Sequence, residues 1–193
     1  GVADGGSVQQ STPYVRDLAP KFDILTVNFK EWATEYTGPK FNFLHADLPY
    51  GVDLRGQANQ NIFEGGGYDG GEEVYWELLA AIREVWPNLM LPSCHVMFWF
   101  SMKHYTRTFS ELSTMPGLKV NPVPLVWHKT DSRGILPDPM RGPRQTYETC
   151  FIASAGDRHI VRPVANSYGA PTGKAEAIHT NEKPEPMLSH FMS

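Results

Sequence analysis

The stretch Phe41-Asn42-Phe43-Leu44-His45-Ala46-Asp47-Leu48-Pro49-Tyr50-Gly51 decides how this chain is read. Its first six residues are mostly apolar, and they run straight into an acid, a proline and an aromatic. A short apolar run ending in polar punctuation predicts a central strand of an α/β sheet. Ligands of such sheets bind beyond the carboxyl ends of the strands, which is where Asp47 to Tyr50 fall. The acid offers hydrogen-bond acceptors, the proline stiffens the turn, and the tyrosine offers a flat face for stacking. Together they suit a planar ring that carries an amino group. A strand followed by an ordinary turn gives the same four residues, since Asp and Pro are common in turns.

Upstream of that stretch, Gly1 to Thr12 is rich in Gly, Ser and Gln. We read residues 1–20 as a flexible leader and residues 21–193 as the folded domain. Asp23 to Phe29 is strand-like, and Lys30 to Tyr36 is a short helix ended by Gly38-Pro39. Downstream, Gly51 to Gly71 has few large apolar residues and reads as a mobile loop over the site. Its triplet Gly65-Gly66-Gly67 follows no strand and carries no Lys-Ser/Thr, which argues against a phosphate cradle. Val74, Leu78, Ala81, Ile82 and Val85 then fall on one helical face, with Pro87 as the stop.

Cys94 to Phe100 is dense in apolar residues and predicts a buried strand. Met102 to Met115 predicts a helix closed by Pro116-Gly117. Val123 to His128 and Glu148 to Ala155 predict two further strands, the second closed by Gly156-Asp157. Strands alternating with helices predict a mainly parallel sheet with helices on both faces.

The size of the chain, 193 residues, fits one domain with a buried core. A net charge of −4 gives no overall basic signal, so contact with a polyanion must come from a local patch. The loop Lys129 to Tyr147 is the candidate, with Lys129, Arg133, Arg141 and Arg144 partly offset by Asp131 and Asp138. Arg158 and Arg162 could extend it, and a solvated surface loop is the alternative reading. Cys94 and Cys150 make no disulfide or metal pattern, and none of the seven histidines has zinc-site spacing. We therefore expect no metal. No apolar run has the length of a membrane span, and no signal peptide is visible. The first residue is Gly1 rather than Met, as in an excised or processed piece.

Asp47-Leu48-Pro49-Tyr50 resembles the Asp-Pro-Pro-Tyr motif of the amino-group DNA methyltransferases, which methylate adenine N6 or cytosine N4. Near the other end, His179-Thr180-Asn181-Glu182-Lys183-Pro184-Glu185-Pro186-Met187-Leu188 resembles the His-x-x-x-Lys-Pro-x-x-x-Leu segment of their β-ordered group. The two motifs occur in that group's order, and the likeness spans roughly Ile24 to Ser193. It points to a phage- or prophage-type adenine methyltransferase. The resemblance implies a Rossmann-like sheet with an antiparallel edge hairpin, S-adenosylmethionine as cofactor and double-stranded DNA as substrate. It also implies a cytoplasmic enzyme of a bacterial or phage-infected cell, with no membrane partner and a homodimer as one open assembly.

By the same resemblance, Asp47, Leu48, Pro49 and Tyr50 are the catalytic residues. Asp47, His179, Thr180, Lys183 and Pro184 border the cofactor, and Lys129, Arg133, Arg141 and Arg144 bind nucleic acid. The lone pair of an adenine amino group is delocalised into the ring. Accepting its two N–H hydrogens at the Asp47 carboxylate and the Leu48 carbonyl would favour a pyramidal, more nucleophilic nitrogen. Tyr50 would stack on a base flipped out of the duplex.

Two departures from the family pattern carry expectations. Leu48 replaces the usual proline, keeping the carbonyl and loosening the turn. The family's Phe-x-Gly-x-Gly-like cofactor turn is not found in these residues. The expectation is a catalytic half, incomplete at its C-terminus, that alone binds the cofactor weakly or not at all. A non-enzymatic domain binding nucleic acid or a partner, and a methyltransferase acting on RNA or protein glutamine, are the alternatives.

Overall fold

The computed structural model describes residues 22–49, 72–134, 142–158, 160, 162–172 and 182–193. The expected leader and the expected loop Gly51 to Gly71 lie outside them, as do Tyr50, Arg141, His179 and Thr180. The first described turn of chain corrects the sequence reading. Asp23 to Phe29 forms no strand, and Phe22, Ile24, Leu25 and Val27 stand exposed. Asn28 is the reason the backbone turns there. Its side chain accepts from the Lys30 and Glu31 N–H groups at 3.0 and 3.3 Å, which starts helix α1 (Phe29–Glu35) at once.

Strand β1 (Phe41–Asp47) follows, then helix α2 (Glu72–Leu89) and strand β2 (Met90–Phe100). Helix α2 runs two residues beyond Pro87, which gives up the bond its N–H would make to the carbonyl four residues upstream. Its buried residues are Tyr75, Leu79, Ala81, Ile82, Val85, Trp86 and Leu89, so the expected face holds at Ala81, Ile82 and Val85, while Tyr75 and Leu79 are buried in place of Val74 and Leu78. A single 3₁₀ turn (Met102–His104) leads into α3 (Tyr105–Ser113), so the expected Met102–Met115 helix is two shorter pieces. Strands β3 (Leu118–Val120), β4 (Leu125–Lys129), β5 (Tyr147–Ala155) and β6 (Ser167–Ala170) come next, and α4 (Glu185–Met192) ends the chain.

The strands form one sheet in the order β1-β2-β5-β4-β6, with β3 also paired to β5. Strands β1 and β2 are parallel, as are β4 and β6, and β5 runs antiparallel to β2, β3 and β4. All described strands but β5 therefore point one way, and the sheet is mainly parallel as expected. The antiparallel pair β4–β5 is present, with short β6 added outside it. Strand β1 forms an edge of the described sheet rather than its centre. Gly156 closes β5 with φ of 68°, and a Cβ there would lie 2.7 Å from the Pro92 carbonyl oxygen, so only glycine fits.

Alternation along the strands divides the core in two. Helices α1, α2 and α3 cover one face, where Val96, Phe98, Phe100, Phe151 and Ala153 meet Tyr75, Leu79, Ile82 and Leu112. The Tyr75 hydroxyl is buried there and pairs with Thr108 Oγ1 at 2.7 Å. Helix α4 covers the other face, where Met187 and Phe191 pack on Met97, Trp99, Leu125, Trp127 and Cys150. No described helix is long and apolar enough to cross a membrane.

Candidate active site

Strand register assembles the site. Asp47 is the last residue of β1 and lies opposite Trp99 of β2, which lies opposite Cys150 of β5. Glu148, two residues from Cys150, shares its face and lies opposite Trp127 of β4. The α4 lead-in crosses these side chains. Buried Pro184 caps α4, and its carbonyl accepts from the Met187 and Leu188 N–H groups at 3.1 Å each. Met187 is fully buried, so the helix is anchored and Lys183 is held over the sheet.

The Lys183 ammonium lies 3.1 Å from Asp47 Oδ1, 2.9 Å from Asp47 Oδ2 and 2.9 Å from Glu148 Oε2. Glu148 Oε1 lies 2.6 Å from Lys129 Nζ. The result is a row of alternating charge, Lys129–Glu148–Lys183–Asp47. Aromatic faces flank its cations, with Lys183 Nζ 4.9 Å from the Trp99 ring centre and Lys129 Nζ 5.1 Å from that of Trp127. The Lys183 side chain is 8% exposed and that of Asp47 is 35% exposed, the most of the four.

Glu148 and Lys183 stay charged because their neighbours offset their burial. Burial alone would push the Glu148 carboxyl up, but Lys183 and Lys129 outweigh it and hold the group below its ordinary value. Burial would pull Lys183 down, but Glu148 and Asp47 outweigh that and hold the ammonium above its ordinary value. His45 fixes the floor of the site. Trp99 Nε1 donates to His45 Nε2 at 2.8 Å, which requires that nitrogen to carry no proton. Burial lowers the His45 value, Asp47 opposes this and Lys183 adds to it, so the ring is neutral near pH 7.

The two motifs read from the sequence thus meet, Asp47 with Lys183, from positions 136 apart in the chain. Leu48 packs against the core under α1–α3 and Pro49 is half-buried. The basic loop divides. Lys129 faces inward and is engaged by Glu148, whereas the Arg133 side chain is 72% exposed and the Arg144 guanidinium donates to the Ser132 carbonyl. Asp131 shapes the loop by accepting from the Thr172 hydroxyl at 2.6 Å and its N–H at 2.9 Å, and these bonds draw its carboxyl down to about 2. Arg158 follows the far end of β5 and acts on Cys94 and His95, so it does not extend the patch.

Sequence reasoning missed Glu148, Trp99 and His45 as site residues. One signal was present. Glu148 is a charged residue on the same alternation as Cys150 and Ile152, in a strand otherwise suited to burial. Both cysteines are buried free thiols whose burial raises them, and no described cluster of His, Cys, Asp or Glu could hold a metal ion.

No family model matches the chain, and no curated protein matches it. Solved structures do. A crystal structure of an M1.HpyAVI–SAM complex aligns over 85% of this chain and 70% of its own, with a TM-score of 0.55 and 14% identity. A second M1.HpyAVI crystal structure aligns over 72% of this chain and 58% of its own, with a TM-score of 0.43 and 14% identity. The likeness to the SAM complex is one of fold: this chain shares its α/β architecture.

Proposed function

We propose that this chain is the catalytic part of a DNA methyltransferase that uses S-adenosylmethionine and acts on the exocyclic amino group of adenine, N6, in a flipped-out base. One observation carries the reading. The acid of Asp47-Leu48-Pro49-Tyr50 and the lysine of the His179–Leu188 segment form one ion pair at the carboxyl end of a strand. Ligands of α/β sheets bind at such ends. The shared fold with a protein solved in complex with SAM supports the cofactor.

The residues present fit the methionine end of that cofactor, since Asp47 offers an anion and Lys183 a cation to an amino acid's two charges. When bound, S-adenosylmethionine supplies a methyl group activated on sulfonium. Asp47 and the Leu48 carbonyl accept the amino hydrogens of the base, and Tyr50 stacks on its ring. His179, Thr180 and Pro184 border the cofactor. Holding nitrogen and methyl in line contributes through orientation. Arg133, Arg141 and Arg144 contact phosphates of double-stranded DNA, while Lys129 acts through Glu148.

The test is transfer of labelled methyl to duplex DNA by the full-length gene product, followed by nucleoside analysis. Label in N6-methyladenine is the expected result. Label in cytosine would overturn the choice of base, and label in RNA or protein alone would overturn the substrate.

A further inference from the structure

We propose that Glu148 is a positioning residue of this site: it divides the Lys183 ammonium between two carboxylates and so sets how firmly Asp47 is held. The proposal rests on Asp47 being the acid that meets substrate. Three carboxylate oxygens lie within 2.9–3.1 Å of Lys183 Nζ: Asp47 Oδ1 accepts a hydrogen bond from it, and Asp47 Oδ2 and Glu148 Oε2 make ion-pair contacts. Strand β5 lies between β2 and β4, and Glu148 is paired with Trp127 of β4 one residue beyond the Phe100–Thr149 pair with β2. Its other oxygen is held by Lys129 at 2.6 Å.

Lys183 lies on the lead into α4, with its buried ammonium between the two carboxylates. Glu148 therefore draws Lys183 partly away from Asp47, and Lys129 keeps Glu148 from swinging after it. Without the Glu148 charge, all the attraction of Lys183 falls on Asp47. The pair closes, and Asp47 has less capacity to accept hydrogens from an incoming amino group. Lys183 also loses one of the two anions that keep a buried ammonium charged. The charged and titratable groups facing Lys183 are Asp47 and His45 of β1, Glu148 and Cys150 of β5, and Lys129 of β4 through Glu148.

The experiment follows the Lys183 side-chain titration by NMR of carbon-labelled lysine in the wild type, Glu148→Gln and Glu148→Asp. Glu148→Gln is expected to lower the Lys183 midpoint by about one unit, a tenfold change in its protonation equilibrium, and Glu148→Asp to restore most of it. An unchanged midpoint in Glu148→Gln overturns the proposal. If that variant does not fold, Glu148→Asp decides, because retracting the carboxylate should lower the midpoint by a smaller, measurable amount. The second arm is methyl transfer by the full-length gene product. In Glu148→Gln, kcat should fall more than the KM for S-adenosylmethionine rises, and Glu148→Asp should recover it. A shifted midpoint with unchanged kcat also overturns the positioning role. Absence of transfer in the wild type strikes the proposed function instead and leaves the titration result standing.

Discussion

Under α1, α2 and α3, the sheet presents Phe98, Phe100 and Phe151 to Tyr75, Leu79 and Leu112, and the Phe100 and Phe151 rings stack 4.0 Å apart. Under α4 it presents Met97, Trp99 and Trp127, but here the apolar packing runs up to a row of four charges. The first face has a plain stability rationale, since apolar area leaves water. The second does not, because well-packed apolar residues commonly replace a buried ion pair at no loss of stability. On the proposed reading, these charges serve chemistry at the open end, where Asp47 reaches solvent.

That contrast can be broken most severely on the first face. Phe98→Ala should cost about 3–5 kcal/mol in denaturant melts, through lost transfer energy and an unfilled cavity. A cost under about 1 kcal/mol would mean that this face is not the main support of the fold. On the second face, Lys183→Met should cost about 3 kcal/mol by taking from Asp47 and Glu148 the buried cation they share, leaving Glu148 only Lys129. Adding Glu148→Leu to it should recover much of that loss. A double variant no more stable than the single one would mean that the charges themselves stabilise the fold.

A gentler probe is pH. Glu148 titrates below its ordinary 4.5 in the folded chain, so its contribution is whole above 4.5 and is lost as pH falls through the folded value. His45 titrates below its ordinary 6.5, so stability starts to fall as pH drops below 6.5. Lys183 titrates above its ordinary 10.5, so its contribution is whole below 10.5 and is lost as pH rises through the folded value. Thermal melts should therefore weaken at both ends of the pH scale, and Lys183→Met should flatten the alkaline limb. An alkaline limb identical in that variant would contradict the assignment. The smallest expected effect on stability is that of Arg141→Ala with Arg144→Ala, about 0.5 kcal/mol or less. The same pair should reduce the slope of log binding against log salt on duplex DNA by about 2. An unchanged slope would return these arginines to the role of a solvated surface.

Strands β2, β4 and β5 were legible because each is an apolar run bounded by turn residues, and the motifs that hold Asp47 and Lys183, which the structure brings together, were legible as short patterns. Other features depend on information a local pattern does not hold. Residues 22–28 are as apolar as a strand, but no described strand pairs with them and Asn28 caps a helix first. Strand β3 has three residues and β6 four, too short for periodicity to register. The α2 stripe was read correctly at Ala81, Ile82 and Val85 and missed Tyr75 and Trp86, aromatic rather than aliphatic, which are buried beside them. Glu148 escaped because its meaning comes from strand register, which places it opposite Trp127 and within reach of a lysine far along the chain.

The central claim is that Asp47 serves chemistry rather than the fold, and one paired measurement tests it. Asp47→Ala in the full-length gene product should keep a thermal midpoint close to the wild type, because Lys183 retains Glu148 as a partner and the Asp47 side chain is the most exposed of the four. The same variant should lose labelled-methyl transfer by at least about 100-fold. Near-normal turnover in a folded Asp47→Ala protein would contradict the reading of Asp47-Leu48-Pro49-Tyr50 as the catalytic motif.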